Sequence, residues 1–230
     1  MRIVHAIYFA LLLLGFAAGQ SQKDSQVTQV NQDVLSRHVN QRRFDKATTT
    51  DLFRDTLASA HAPGGIVVLA SCSPEGVHSF VLDDSSLGAA LDAVAVQDPN
   101  YRWHAQDGTV IVVPSAGVPE LLRTRIAQFQ VERAATPDYA LDQLLNLREV
   151  RQRMEDLGFT TRPPQLGFHK LQSQSSAGAD RGRQFSIHRK DLTLLEALNA
   201  IAAGDGEAVW LYSECRCGGR KTVAIDFVVR

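Results

Sequence analysis

The chain is poor in the residues that most often announce chemistry. Its 230 residues include three cysteines, two methionines and two tryptophans. The cysteines, Cys72, Cys215 and Cys217, lack the Cys-x-x-Cys spacing of a dithiol redox site, and no histidine lies near them in sequence to complete a metal site. The histidines form no His-x-x-x-His pair. No Gly-x-Ser-x-Gly elbow surrounds a serine, and no glycine-rich phosphate loop precedes a helix. An excess of one charge is also missing: 24 basic residues stand against 25 acidic ones, which argues against nonspecific binding of DNA or RNA. Past the first 19 residues no apolar run reaches the roughly 20 that a spanning helix needs.

Residues 1–19 are the one long apolar segment, and they have the layout of a cleavable secretory signal. Arg2 gives the basic start, Ala6 to Ala18 is uncharged and contains Leu11 to Leu14, and Ala17 and Gly19 are the small residues before a cut after Gly19. The polar run from Gln20 to Asp24 ends the apolar stretch too early for a membrane anchor, and no cysteine at the junction suggests a lipoprotein. A soluble mature protein outside the cytoplasm is expected, with no membrane insertion after cleavage. With 44% hydrophobic residues it has enough apolar content for a core.

Residues 20–49 are rich in glutamine and read as a polar tether, in which Val27, Val30 and Val34 share helical spacing and could form a short docking helix. A first unit, residues 50–114, reads as helix, strand, strand, helix, strand, strand. Asp51 is the expected cap of a helix presenting Phe53, Leu57 and Ala60, and Gly64-Gly65 its stop. Ile66–Ala70 and Val77–Leu82 read as strands, and Ser85 or Ser86 as the cap of a helix carrying Leu87, Leu91 and Val94. Tyr101, Trp103 and Ala105 alternate along a strand that turns at Asp107-Gly108.

A second unit, residues 115–230, begins with a strand near Arg125–Glu132 whose Ala127, Phe129 and Val131 are expected on one side. Thr136-Pro137 opens a helix with Leu141, Leu144 and Leu145, and a charged helix with Arg148, Arg151 and Arg153 follows as a solvated face. Residues 172–184, rich in serine and glycine, read as a flexible loop. A strand at Phe185–His188, a helix at Thr193–Ala203 and strands at Ala208–Glu214 and Thr222–Val229 complete the unit, with Gly218-Gly219 as the turn.

A shift of 107 positions lays Leu87 on Leu194, Ala90 on Ala197, Leu91 on Leu198, Val94 on Ile201 and Trp103 on Trp210 without a gap. Two amphipathic helices share leucine spacing by chance, but the chain's only two tryptophans also coincide. That favours a duplicated strand-helix-strand-strand unit, and hence an α+β fold of two small related domains, each with helices on a small mixed sheet.

The run Ser85-Ser86-Leu87-Gly88-Ala89-Ala90-Leu91-Asp92-Ala93-Val94, then Tyr101-Arg102-Trp103, then Asp107-Gly108-Thr109-Val110-Ile111-Val112, resembles the short N-terminal domain shared by secretins and TonB-dependent transducers. In that family a "sLxeALdxLl" helix precedes an aromatic strand and a "dGtivi" strand. Phe185 to Phe227 resembles the same pattern through Leu194, Ala197 and Leu198, and residues 51–70 are similar to the family's preceding helix and strand, so the resemblance spans about half of the mature chain. It implies a periplasmic module of two helices on a small mixed sheet that binds and signals rather than catalyses. No barrel, pore or plug sequence follows, so a stand-alone version is expected.

In an oxidising compartment the cysteines read first as structural. Cys215 and Cys217 fall on one face of a strand and pair poorly with each other; a disulfide from Cys72 to one of them leaves a thiol over. His61 and His104 read as ordinary surface or half-buried residues, and Trp103 and Trp210 as core. No catalytic, cofactor-binding or metal-ligating residue is assigned and no cofactor is expected. The reading is a non-catalytic envelope protein that binds an unidentified envelope partner, with strand addition as the physical mode. A thiol-dependent redox protein or enzyme and a self-associating structural subunit are the alternatives.

Overall fold

The computed structural model describes residues 28–70, 76–161, 184–217 and 220–228. Helix α1 covers residues 28–35. It is followed by β1 (His38–Val39), β2 (Arg42–Thr48), α2 (Thr49–Ser59), β3 (Gly64–Ala70), β4 (Val77–Leu82), β5 (Ser85–Ser86), α3 (Leu87–Gln97), β6 (Tyr101–Gln106) and β7 (Thr109–Pro114). A 3-10 turn at Leu121–Arg123 leads to β8 (Arg125–Ala134), α4 (Pro137–Leu145), α5 (Arg148–Asp156), β9 (Phe159–Thr161), β10 (Phe185–Thr193), α6 (Leu194–Asp205), β11 (Val209–Cys217) and β12 (Arg220–Val228). The fold is α+β.

Local chemistry fixes the helix starts. Thr48 caps α2 and Asp51, three residues in, returns the bond to complete a capping box. Ser86 caps α3, Thr136 caps α4 with Pro137 in its first turn, and Thr193 with Glu196 forms a second capping box on α6. Asp107 and Gly108, at φ 51° and 75°, supply the two left-handed residues of a tight hairpin turn.

The repeat inferred from the sequence has a counterpart in the pairing of strands. β2 pairs antiparallel with β4, and β8 with β10; β3 runs parallel beside β7, and β9 beside β12; β6–β7 and β11–β12 are antiparallel hairpins. Even the irregularities match. β2 bulges between Phe44 and Ala47, where Lys46 has φ 55°, and β8 bulges between Val131 and Ala134, where Arg133 has φ 48°. The Leu87 N–H donates to the Arg37 carbonyl at 2.8 Å, and the Leu194 N–H to that of Thr124 at 2.9 Å. Trp103 Nε1 donates to Asp92 Oδ1 at 3.1 Å and Trp210 Nε1 to Asn199 Oδ1 at 3.0 Å, each acceptor 11 residues before its tryptophan.

The two three-stranded sheets join into one of six strands, ordered β6-β7-β3-β11-β12-β9. The junction is a parallel pairing of β3 with β11 from Gly64↔Val209 to Ala70↔Cys215. Side chains alternate across the joined sheet and feed two cores. Ile66, Val110, Val112, Val209 and Leu211 pack with Leu52, Phe53 and Leu57 of α2 and with Leu87 and Leu91 of α3. Val67, Ile111, Val113, Trp210 and Tyr212 pack with Leu141 and Leu144 of α4 and with Leu194, Leu198 and Ile201 of α6. The helices of the two units therefore lie on opposite faces of one sheet, and β7 is buried along its whole length.

Three expectations are corrected. From residue 28 the expected tether belongs to the fold: Val34 of α1 is buried, and Phe44 of β2 is buried against Phe80, ring centroids 6.4 Å apart. The expected Asp51 cap is the third residue of α2, because Thr48 carries the cap hydroxyl. On β8 the buried residues are Ile126, Phe129, Val131 and Ala134, while Ala127 is exposed. The alternation slips between Ile126 and Phe129, opposite Asp191 of β10, whose backbone has φ 52°. Of the expected 172–184 loop, only residue 184 falls within the described residues.

A Cβ added to Gly65 would lie 1.9, 2.0 and 2.5 Å from three atoms of the Trp210 indole. A glycine inside a strand costs about 0.5–1 kcal/mol, far less than such an overlap. Gly65→Ala should therefore lower stability by about 1–3 kcal/mol or more in chemical denaturation, whereas Gly76→Ala, with nothing within 4 Å of its added Cβ, should leave it within about 1 kcal/mol of the parent.

Candidate interaction edge

The ends of the six-stranded sheet are not alike. β9 contributes three paired residues, Phe159, Thr160 and Thr161, whereas β6 contributes six, from Tyr101↔Pro114 to Gln106↔Thr109. Among the described residues no strand lies on the outer side of β6, and at its start the Tyr101 N–H donates to the Asp98 carbonyl at 3.2 Å. Tyr101 and Trp103 point toward the α2–α3 core, with the Tyr101 ring 6.1 Å from that of Phe53, while Arg102 and His104 are exposed on the alternate positions. Partial desolvation of its ring against the sheet and the neighbouring Arg102 charge lower the His104 pKa, which favours the neutral imidazole. An edge strand such as Arg102 to Gln106 can bond an extended segment through its backbone.

Other exposed apolar positions are scattered. Val77 and Val81 on β4 are 58% and 50% exposed, paired with Thr48 and Arg43 of β2. On β3, pairing with β7 ends at Ile66, and Leu69 is exposed beyond it.

The cysteines are only partly within view. Cys72 lies outside the described residues, as does the side chain of Cys217. Cys215 is half-buried on β11, level with Ala70 of β3 and Thr222 of β12. The backbone places Cys215 and Cys217 two residues apart on one strand, as expected, which is a poor geometry for a bond between them. Among the described residues no group of three His, Cys, Asp or Glu side chains could hold a metal, and no helix is long and apolar enough to cross a membrane.

The opposite face of β11 carries polar residues that sequence reading passed over. Glu214 is only 3% exposed, accepts from the Tyr212 hydroxyl at 2.9 Å and from Arg216 Nε at 2.7 Å, and so has its charge matched and its oxygens bonded. Burial and the Glu214 carboxylate push the Tyr212 phenol far above its ordinary range, which keeps it a neutral donor rather than a base. Arg153 of α5 pairs with Glu120 nearby in the chain from the 3-10 turn. The signal was present as Tyr212, Glu214 and Arg216 at period two on a strand. His61, at φ 49° after α2, lies 3.1 Å from Glu207 through Nδ1, a surface pairing.

What these elements define is an α+β chain with a recurring strand-pairing pattern and a six-stranded sheet that ends, among the described residues, in β6 on one side and the short β9 on the other. No family model, curated protein or solved structure matches it.

Two carboxyls give a pH-dependent outcome. Burial raises the pKa of Asp226, and burial together with Asp142 and Asp226 raises that of Asp138. A carboxyl with a raised folded-state pKa penalises the fold once ionised. The penalty grows as pH rises through the ordinary carboxylate range and is complete above the raised pKa. Asp226→Asn should therefore raise the melting temperature at pH 7, and the gain should vanish at about pH 3.

Proposed function

We propose that this is an exported, non-catalytic interaction protein of the cell envelope that engages an extended segment of another envelope protein by strand addition. The observation that carries the reading is the outer side of β6, which ends the six-stranded sheet and beside which, from Arg102 to Gln106, no other strand lies among the described residues. Support for export comes from the layout of residues 1–19, and support for a binding role from the resemblance to the short N-terminal domain of secretins and TonB-dependent transducers. The polar chemistry in the interior points the same way. Glu214, Tyr212 and Asn199 are spent on one another and on Trp210 and Arg216, an arrangement suited to holding a fold rather than to meeting a substrate.

A tagged copy crosslinked in intact cells of its native host, purified and compared with an unrelated exported control, should recover one envelope protein well above the control. The two purified proteins should then bind each other. Recovery of nothing beyond the control would sink the reading, and recovery of the chain alone as a crosslinked oligomer would favour the self-associating subunit.

A further inference from the structure

We propose that β6 is the accepting edge, that the incoming segment runs parallel to it, and that this segment places a glycine or another very small residue beside Trp103. The proposal rests on the strand-addition reading and specifies its site and ligand.

The chain itself contains one occupied instance of the same edge. β6 is the counterpart in the first unit of β11 in the second: Ser86 and Thr193 cap the preceding helices, Asp92 and Asn199 hold the indoles, and Trp103 and Trp210 follow 11 residues later. The outer side of β11 is covered by β3, parallel and in register over seven residues, with Gly65 level with Trp210, Ile66 with Leu211 and Val67 with Tyr212. The Trp210 indole leans across its neighbour so closely that the neighbour has no room for a Cβ. Trp103 is tethered from the equivalent helix position, but no strand lies beside it among the described residues, and it is half-buried where Trp210 is fully buried. An indole held by the same bond at the same strand position sets the same demand on whatever pairs with β6.

The occupant is a different protein rather than a second copy. In a second copy β3 is already consumed by β11, and the counterpart of β3 is β9. β9 offers three paired residues, and Arg162-Pro163-Pro164 follow it directly in the sequence. Prolines lack the N–H that a ladder needs and commonly protect an edge from pairing. The segment that fits carries the small residue followed by aliphatic ones, as Gly65-Ile66-Val67-Val68 does. On the face of Arg102, which forms no ion pair among the described residues, it gains from an acidic side chain.

Two measurements on the full mature chain test this. In cells, a photoreactive amino acid placed at Arg102 or His104 on β6 should give an adduct with another protein, and the crosslinked peptide should contain Gly, Ala or Ser followed by aliphatic residues. The same probe at Gln128 on the β8–β10 ribbon should give none. In vitro, a peptide reproducing residues 61–70, with a charged solubilising tail, should shift the Trp103 indole N–H resonance saturably and leave that of Trp210 unmoved. The same peptide with leucine in place of its second glycine should bind about tenfold more weakly or worse.

Adducts from the ribbon alone would overturn β6 as the site while leaving strand addition standing, and adducts with the chain itself would overturn the choice of occupant. A leucine peptide that binds as well as the glycine peptide would overturn the small-residue rule. No adduct at any position would count against both this proposal and the interaction reading.

Discussion

The parallel pairing of β3 with β11 is the contact on which the rest of the molecule depends, and Gly65 is its narrowest point. The Trp210 indole lies over the Gly65 backbone, so seven residues of each strand can run side by side only because one of them has no side chain. Where most strand positions tolerate a methyl at modest cost, this one does not, since the added carbon would overlap ring atoms rather than the end of a flexible chain.

That junction explains why the cores cannot be assigned cleanly to separate units. Val209 and Leu211 from the second hairpin complete the core under α2 and α3, while Val67, Ile111 and Val113 from the first unit complete the one under α4 and α6. A pairing that reverses strand direction from one unit to the next also turns the second unit over, which puts its helices on the other face. The strands in the middle of the joined sheet are consequently buried on both sides, and near-continuous apolar runs such as Val110-Ile111-Val112-Val113 of β7, beside the junction, follow from that. The sheet grows by adding the lone strand of one unit to the first hairpin strand of the next, and it stops at β6 because no further lone strand is present among the described residues.

Local chemistry made much of the architecture readable in advance. Hydroxyl caps at Ser86 and Thr136, the Asp107-Gly108 turn and the leucine spacing of α3, α4 and α6 each rest on interactions within a few residues, and the structure has them. The repeat was readable because two tryptophans are rare enough to mark equivalent positions. What sequence reading missed depends on distant partners. β2 is polar on most of its length and becomes a strand because β4 pairs with it and Phe44 finds Phe80. β9 is three residues long and takes its identity from β12. Of the candidate site, the cysteines were visible as letters, but the open edge of β6 was not, since an unpaired edge is a property of what stands beside a strand.

The sequence by itself determined most helix starts set by caps, the hairpin turn, the recurrence of the leucine and tryptophan pattern and the mixed α+β class, because each is encoded by residues near one another in the chain or by a recurrence along it. Only the tertiary structure decided that the two three-stranded sheets fuse into one, that their helices take opposite faces, that Gly65 must be glycine and that β6 ends the sheet among the described residues. The physical reason is the same in each case: backbone hydrogen bonds between strands carry almost no side-chain signature, so which edges meet is settled by packing between residues more than 100 positions apart, as between Gly65 and Trp210.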